Sequence, residues 1–286
     1  MTGRILTHLQ RLVGERHPVT APQHLVAVED YLAGRFEAMG YQVARHPFEA
    51  LDGTYRNVVA THHPPSGSPS LPPLLIGAHY DTVPGSPGAD DNASALAVLL
   101  ETAQALTSGL LTRPIHFVAF SLEEQGLLGS SAYATRLRQQ HETLAGAIIL
   151  ECVGYARSEE GTQLVPSGVP VAVPTVGNFL AIVGNRASQA LTMTVAQAMS
   201  THVPVVPLVV PGNGELLPDT RRSDHVAFWE QGFPAVMLTD TANFRNPHYH
   251  QPSDTLDTLN LDFMSQVVNG VVTAATQLAG MDAHAA

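Results

Sequence analysis

The chain has 286 residues, of which 44% are hydrophobic, and this is enough to bury the core of one large domain or two small ones. Its formal net charge of −11 would repel nucleic-acid phosphates and anionic lipid headgroups, so we expect neither nucleic acid nor a membrane as a partner. A single cysteine, Cys152, excludes an intrachain disulfide framework and a metal site made only of thiolates.

The opening segment, MTGRILTHLQRLVGERHP, has no long apolar stretch followed by a small-residue cleavage site, so we expect no signal peptide. No uninterrupted apolar run approaches the length that a transmembrane helix needs. We therefore expect a cytoplasmic protein, or a secreted one if a leader has been removed.

The predicted secondary structure begins with two helices within residues 1–40 and ends with a helix over 260–279. Residues 41–50 and 55–63 are typical of strands joined by a turn at Asp52-Gly53. From residue 74 onward, apolar strands alternate with helices. These strands are expected at 74–79, 114–120, 145–152, 179–185, 203–210 and 234–240, and the helices at 95–106, 126–140, 186–200 and 223–232.

The later strands lack polar alternation, which indicates a largely parallel sheet with helices on both of its faces. We therefore predict one α/β domain over residues 1–286. It has three α/β/α layers and a mixed, mostly parallel central sheet, and the N-terminal helices of residues 1–40 pack on it. Ligands of open α/β sheets bind beyond the carboxyl ends of the strands, so the residues after each strand are the candidates for a functional site.

Carboxylates and imidazoles follow four of the predicted strands. They are His79 and Asp81, Glu123 and Glu124, Glu151, and His248 and His250, with Asp90 and Asp91 in the loop after the first of these strands. So many buried carboxylates would repel one another unless cations neutralised them. Imidazole and carboxylate ligands without thiolate suit zinc, with cobalt or manganese as possible substitutes, so the sequence predicts a site for two divalent metal ions.

Each of these residues also has a simpler structural explanation when it is taken alone. His79 could be a core histidine, the pair Glu123-Glu124 could favour a helix N-terminus, and Glu151 could be a buried ion-pair partner. The 14 Lys and Arg residues of the chain offer few partners for such a pair. The order and the positions of the residues together favour the metal site.

Five motifs between about residues 70 and 260 resemble those of the co-catalytic di-zinc aminopeptidases. They are GAHYDT, GADDNASA, SLEEQGLLGS, AIILE and YHQPSDT. This family includes bacterial leucine aminopeptidases and, more distantly, glutamate carboxypeptidase and glutaminyl cyclase. The resemblance implies a zinc-dependent exopeptidase that hydrolyses the N-terminal bond of a peptide or small amide substrate.

The resemblance also implies two zinc ions per chain, bound by five residues. Asp90 would bridge both ions, and a cis peptide bond would follow it, between Asp90 and Asp91. Two further ligands would complete each metal site. The whole ligand set is His79, Asp90, Glu124, Glu151 and His250.

Three more residues have roles implied by the same resemblance. Glu123 would be the general base, and Asp81 would accept a hydrogen bond from the far ring nitrogen of His79 and so fix its tautomer. Tyr249 would stabilise the tetrahedral intermediate. His250 fits the pattern Y-H-x-x-x-D-T, which leaves His248 at the mouth of the substrate site.

The sequence departs from the well-known aminopeptidases at Glu151, where they carry aspartate. Arg221 and Arg222, just before the SDH triplet, could bind a substrate carboxylate, although a solvated pair before a helix is the simpler explanation. A carboxypeptidase or a non-peptide amidohydrolase on the same scaffold therefore stays an alternative. Glutaminyl cyclisation would need only one zinc ion, and a binding module with a relic site would lack a ligand or the base. Neither alternative fits a sequence in which all five metal ligands and the base are present.

Overall fold

A computed structural model describes residues 1–64, 71–107 and 111–280, and the rest of the predicted domain lies outside this part of the chain. The described helices are α1 (Thr2–Leu12), α2 (Pro22–Ala38), α3 (Ala95–Leu106), α4 (Leu128–Gln139), α5 (Gln189–Met199), α6 (His225–Glu230) and α7 (Leu261–Ala279). The described strands are β1 (Gln42–Ala50), β2 (Gly53–His62), β3 (Leu74–His79), β4 (Ile115–Phe120), β5 (Gly146–Glu151), β6 (Leu180–Asn185), β7 (Val205–Val210) and β8 (Ala235–Thr239).

These strands form one sheet in the order β1-β2-β4-β3-β5-β8-β6-β7. The four central strands β4, β3, β5 and β8 are parallel to one another. The β1–β2 hairpin joins β4 through an antiparallel pairing, and β6 and β7 run antiparallel to β8. The mixed, mostly parallel sheet is thus confirmed, and the carboxyl ends of its four central strands lie at the same edge.

Helices cover both faces of this sheet, which confirms the α/β/α layers. On one face α1, α2, α3, α5 and α7 pack over a core that includes Leu32, Leu99 and Val267. On the other face α4 and α6 pack over a core that includes Phe120 and Phe228. The strands β3 and β5 are buried at every position because both of their faces are covered, and this explains the absence of polar alternation in LLIGAH and GAIILE.

The ends of the predicted elements shift by a few residues where local hydrogen bonding decides them. The last helix starts after Asn260, whose side-chain oxygen accepts a hydrogen bond from the backbone N–H of Phe263 at 2.9 Å. The helix expected from residue 126 begins at Leu128, because Glu123 to Leu127 form a turn first. None of the described helices is long and apolar enough to cross a bilayer.

Candidate active site

Loops at the carboxyl edge of the parallel strands bring two groups of potential metal ligands together. In each group, one ligand atom per residue lies within 4.8 Å of the others. The first group is His79, Glu123 and Glu151, and the second is Asp91, Glu124 and His250. Asp91 joins the two groups, because its Oδ1 lies 3.2 Å from His79 Nε2 and its Oδ2 lies 3.0 Å from His250 Nε2.

The carboxylate between the two histidines is therefore that of Asp91, one position after Asp90, the residue predicted to bridge the two metal ions. Asp90 Oδ1 accepts a hydrogen bond from Gly154 N at 2.9 Å, and its Oδ2 accepts one from Asn246 Nδ2 at 2.8 Å. The cis peptide bond likewise lies between Asp91 and Asn92, and not between Asp90 and Asp91.

Contacts from distant parts of the chain fix which aspartate faces the histidines. The carboxylate of Asp254 accepts hydrogen bonds from the backbone N–H groups of Asp90, at 2.9 Å, and Asp91, at 3.1 Å. Asn92 donates to Leu150 O and accepts from Cys152 N, which ties the turn to the end of β5. These contacts orient the turn that carries Asp91 from two sides.

Asp81 positions the two glutamates that follow β4. Its Oδ1 accepts a hydrogen bond from Glu123 N at 3.0 Å, and its Oδ2 accepts one from Glu124 N at 3.1 Å. Its Oδ1 lies 3.6 Å from His79 Nδ1, which is too long for a hydrogen bond. The predicted hydrogen bond to His79 is thus absent, although the carboxylate is close enough to attract the ring.

Several buried polar atoms of these groups approach one another closely but are not aligned for hydrogen bonds, and they have no hydrogen-bond partner among the described residues. They include His79 Nε2, Asp91 Oδ1, Glu124 Oε1 and His250 Nε2. Buried polar atoms without partners are costly, so their accumulation in one place indicates a ligand. Imidazole nitrogen and carboxylate oxygen are the donors that Zn²⁺, Co²⁺ and Mn²⁺ accept, so the residues fit metal ions.

The charges within the cluster perturb its ionisable groups. Burial raises the pKa of Glu123 well above its usual value, and burial together with the charge of Asp91 raises the pKa of Glu124 to about 7. Burial alone would lower the pKa of His79, but the carboxylates of Glu151 and Glu123 raise it well above its usual value. Full ionisation of these carboxylates is therefore unfavourable without a cation, so the cluster favours the binding of cations.

Two residues of the SDH triplet, which was predicted only as the start of a short helix, also lie at the cluster. Ser223 Oγ donates a hydrogen bond to Glu151 Oε2 at 2.7 Å and so orients that carboxylate. Asp224 is buried close enough to His79 and Glu151 for their charges to affect it, and burial raises its pKa to about 7. Three polar residues directly before the apolar run VAFW were the available signal.

Of the two candidate histidines after β8, His250 lies in the cluster, with its Nε2 3.3 Å from Glu124 Oε2. His248 instead contacts Ser253 Oγ through Nδ1 at 2.9 Å. The ring of Tyr249 stacks on that of His250, with a centroid separation of 3.9 Å and an interplanar angle of 17°. Burial raises the pKa of the Tyr249 phenol above its usual value, so the phenol stays protonated and can donate a hydrogen bond.

The two arginines before the SDH triplet have different surroundings. Arg221 Nη2 pairs with Glu230 Oε1 at 2.6 Å, and its Nη1 donates to the carbonyl of Asn213. Arg222 Nη2 instead donates to the hydroxyl of Tyr249 at 3.1 Å.

An apolar pocket adjoins the cluster at Glu151 and Tyr249. Its floor is one face of β8, β6 and β7, where alternate residues are directed to the same side of the sheet. These floor residues are Ala181, Val183, Val206, Leu208, Met237 and Thr239. Phe179 and Phe244 also line the cavity.

Sequence comparison relates the chain to a peptidase family. The sequence profile of Peptidase family M28 matches residues 57–275. The YfbL protein of Escherichia coli (strain K12) is 34% identical over 275 residues, which cover 90% of this chain and 82% of YfbL. Leucine aminopeptidase 1 of Arthroderma otae is 27% identical over 224 residues, which cover 72% of this chain and 54% of that protein, so the chain spans about half of its length.

Solved structures share the fold. LapA aminopeptidase of Legionella pneumophila has a TM-score of 0.76 at 22% identity, over 98% of this chain and 70% of its own. The zinc aminopeptidase BSAP of Bacillus subtilis has a TM-score of 0.61 at 25% identity, over 82% of this chain and 53% of its own. Glutaminyl cyclase of Porphyromonas gingivalis has a TM-score of 0.73 at 22% identity, over 97% of this chain and 98% of its own. From the family profile and its sequence relatives, the chain belongs to Peptidase family M28 and is a metallopeptidase.

Proposed function

We propose that the protein is a zinc-dependent aminopeptidase that hydrolyses the N-terminal peptide bond of peptides beginning with an apolar residue. The main support is that the apolar pocket lies directly beside the buried carboxylates, because Glu151 belongs to both. A first side chain seated in the pocket would bring its own free α-amine next to those carboxylates. Their oxygen atoms would accept hydrogen bonds from that ammonium group.

We further propose two zinc ions per chain. His79 and Glu151 would hold one, Glu124 and His250 would hold the other, and Asp91 would be shared by both. The related structure BSAP is a zinc aminopeptidase, which supports the choice of metal. When bound, the ions would lower the pKa of the attacking water towards neutrality and polarise the scissile carbonyl.

The proton transfers are assigned to Glu123. Its carboxylate takes a proton from the attacking water and later gives it to the leaving amine. The side chain is buried, and one of its carboxylate oxygens lies within 4.8 Å of ligand atoms of His79 and Glu151, beside the proposed metal site. Asp81 holds the backbone N–H of Glu123 and so fixes the position from which the base acts.

The stabilisation of the negative charge that develops on the carbonyl oxygen is assigned to Tyr249. Its protonated phenol, held against the ring of His250, donates a hydrogen bond to that oxygen as the tetrahedral intermediate forms. A donor fixed in advance stabilises the transition state without reorganising during the reaction.

Parallel assays of leucyl-glycine, its N-acetyl derivative and its C-terminal amide test the end that is recognised. We expect cleavage of the free dipeptide and of the amide, and no cleavage of the N-acetyl derivative. Cleavage of the N-acetyl derivative but not of the amide would make the protein a carboxypeptidase. Cyclisation of a glutaminyl peptide without hydrolysis would make it a cyclase. The Glu123→Gln variant, purified in the same way, controls for contaminating peptidases.

A further inference from the structure

Arg222 lies at the apolar pocket and contacts the phenol that the proposed reaction uses. Its Nη2 donates to the Tyr249 hydroxyl at 3.1 Å, and its Cζ lies 5.4 Å from the centroid of the Tyr249 ring. Its Nη1 donates to Asn243 Oδ1 at 2.7 Å, which holds the guanidinium from a second direction. An acidic neighbour, Asp219, lies farther away, with its Oδ1 3.8 Å from Arg222 Nη1, and both side chains are partly exposed to solvent.

The direction of the hydrogen bond to Tyr249 is fixed by the chemistry of the two groups. A guanidinium has donors and no acceptor, so the Tyr249 oxygen must accept from Arg222 and cannot donate to it. The single phenolic proton is therefore directed elsewhere. Because the Tyr249 ring is stacked on His250 and lines the pocket beside Glu151, this proton is available to a substrate bound at the cluster.

A charged donor on the phenol oxygen also makes the phenol a better donor. Hydrogen bonds in a chain polarise one another, and a guanidinium polarises its acceptor more strongly than a neutral group does. The planar guanidinium reaches Tyr249 and Asn243 with two different nitrogens, which the single ammonium of a lysine cannot reproduce in the same geometry.

We propose that Arg222 is a positioning residue, which holds the Tyr249 hydroxyl as an acceptor so that its proton points to the carbonyl oxygen of the substrate. This inference rests on the proposed peptidase function. The competing role for Arg222 is to bind a carboxylate of the substrate directly. Substrates with and without a C-terminal carboxylate separate the two roles.

The neighbouring Arg221 offers a matched control because it carries the same side chain but contacts Glu230 and the Asn213 carbonyl instead. We compare Arg222→Met, Arg222→Lys, Tyr249→Phe, the double variant Arg222→Met/Tyr249→Phe, and Arg221→Met. Each is assayed for kcat and KM on leucyl-glycine and on leucyl-glycine amide, and each is checked for folding by its melting temperature.

We expect Arg222→Met to lower kcat by about 10- to 100-fold with little change in KM, because one hydrogen bond to a charged group is lost. Arg222→Lys should restore only part of this loss. The double variant should be no slower than Tyr249→Phe, since both changes remove the same interaction. Arg221→Met should match the wild type on both substrates.

Two kinetic results would overturn the proposal while leaving the peptidase function intact. One is independent losses, in which the effects of Arg222→Met and Tyr249→Phe multiply in the double variant. The other is a rise in KM confined to leucyl-glycine and absent for its amide, which would make Arg222 a carboxylate-binding residue. If the wild type hydrolysed neither substrate, the proposed function itself would be rejected, and the role of Arg222 would be rejected with it.

The contact can also be measured without turnover and without metal. In protein labelled with ¹³C at the Cζ of tyrosine, the Tyr249 resonance is assigned by its loss in Tyr249→Phe. We expect Arg222→Met to shift this resonance and Arg221→Met to leave it in place. An unshifted resonance in folded Arg222→Met protein would contradict the hydrogen bond on which the proposal stands.

Discussion

Asp91→Asn tests the placement of the shared carboxylate, and Asp90→Asn is its matched control one residue away. Both changes replace a buried carboxylate by an amide of the same shape. Asp91 faces two histidine Nε2 atoms at 3.2 and 3.0 Å, whereas Asp90 faces a backbone N–H at 2.9 Å and an amide at 2.8 Å. Only the first change removes charge from the point where the two ligand groups meet.

The expected magnitude follows from the number of contacts that change. An interaction with a charged group contributes about 1.5–3 kcal/mol, and about 1.4 kcal/mol corresponds to a tenfold change in affinity. Asp91 serves both ligand groups, so Asp91→Asn should weaken binding of the metal pair by at least about 100-fold. Asp90→Asn keeps an oxygen for Gly154 N and changes only the contact with Asn246, which involves neither histidine, so its zinc content should equal that of the wild type.

The assay is the zinc content of each protein after dialysis against a zinc buffer, measured by mass spectrometry of the metal. Competition with a fluorescent chelator then gives the two affinities, and circular dichroism shows that each variant is folded. Loss of zinc from Asp90→Asn combined with full retention by Asp91→Asn would refute the assignment and restore Asp90 as the bridging residue.

The other predictions concern the base, the pocket and the support of the Asp91 turn. Glu123→Gln should keep its zinc but lower kcat by about 10²- to 10⁴-fold, and a near-normal kcat in a metal-loaded sample would show that Glu123 is not the base. Ala181→Phe fills the pocket floor, so the ratio of kcat/KM for leucyl over alanyl substrates should fall at least about tenfold; an unchanged ratio would place the first side chain elsewhere. Asp254→Ala leaves the buried backbone N–H groups of Asp90 and Asp91 without their acceptor, at a cost of about 1–3 kcal/mol each, and should lower both zinc affinity and the urea midpoint of the metal-free protein. If neither quantity changed, the turn would be held by other contacts.

The strand ends of the site could be predicted from the sequence because local patterns mark them. Buried parallel strands lack polar alternation, and a polar residue directly after such a strand lies at the carboxyl edge of the sheet. This reasoning brought His79, Glu124, Glu151 and His250 to one edge, where the structure has them.

The choice between Asp90 and Asp91 could not be made in this way, because their order in the chain does not tell which of them faces inward. That choice depends on hydrogen bonds to Asp254, which lies more than 160 positions further along the chain. The same holds for Ser223, whose bond to Glu151 joins residues 72 positions apart. Contacts of this range follow from the folded topology and leave no periodic signal in the sequence.

Our main proposal is that Asp91 joins two groups of ligands around a pair of metal ions needed for peptide hydrolysis. Its most direct test is a titration of chelator-treated protein with zinc, with bound zinc and the hydrolysis of leucyl-glycine amide measured at every addition. We expect activity to be absent without metal and to reach its maximum at two zinc ions per chain. Full activity at one ion, or undiminished hydrolysis in the presence of the chelator, would contradict it.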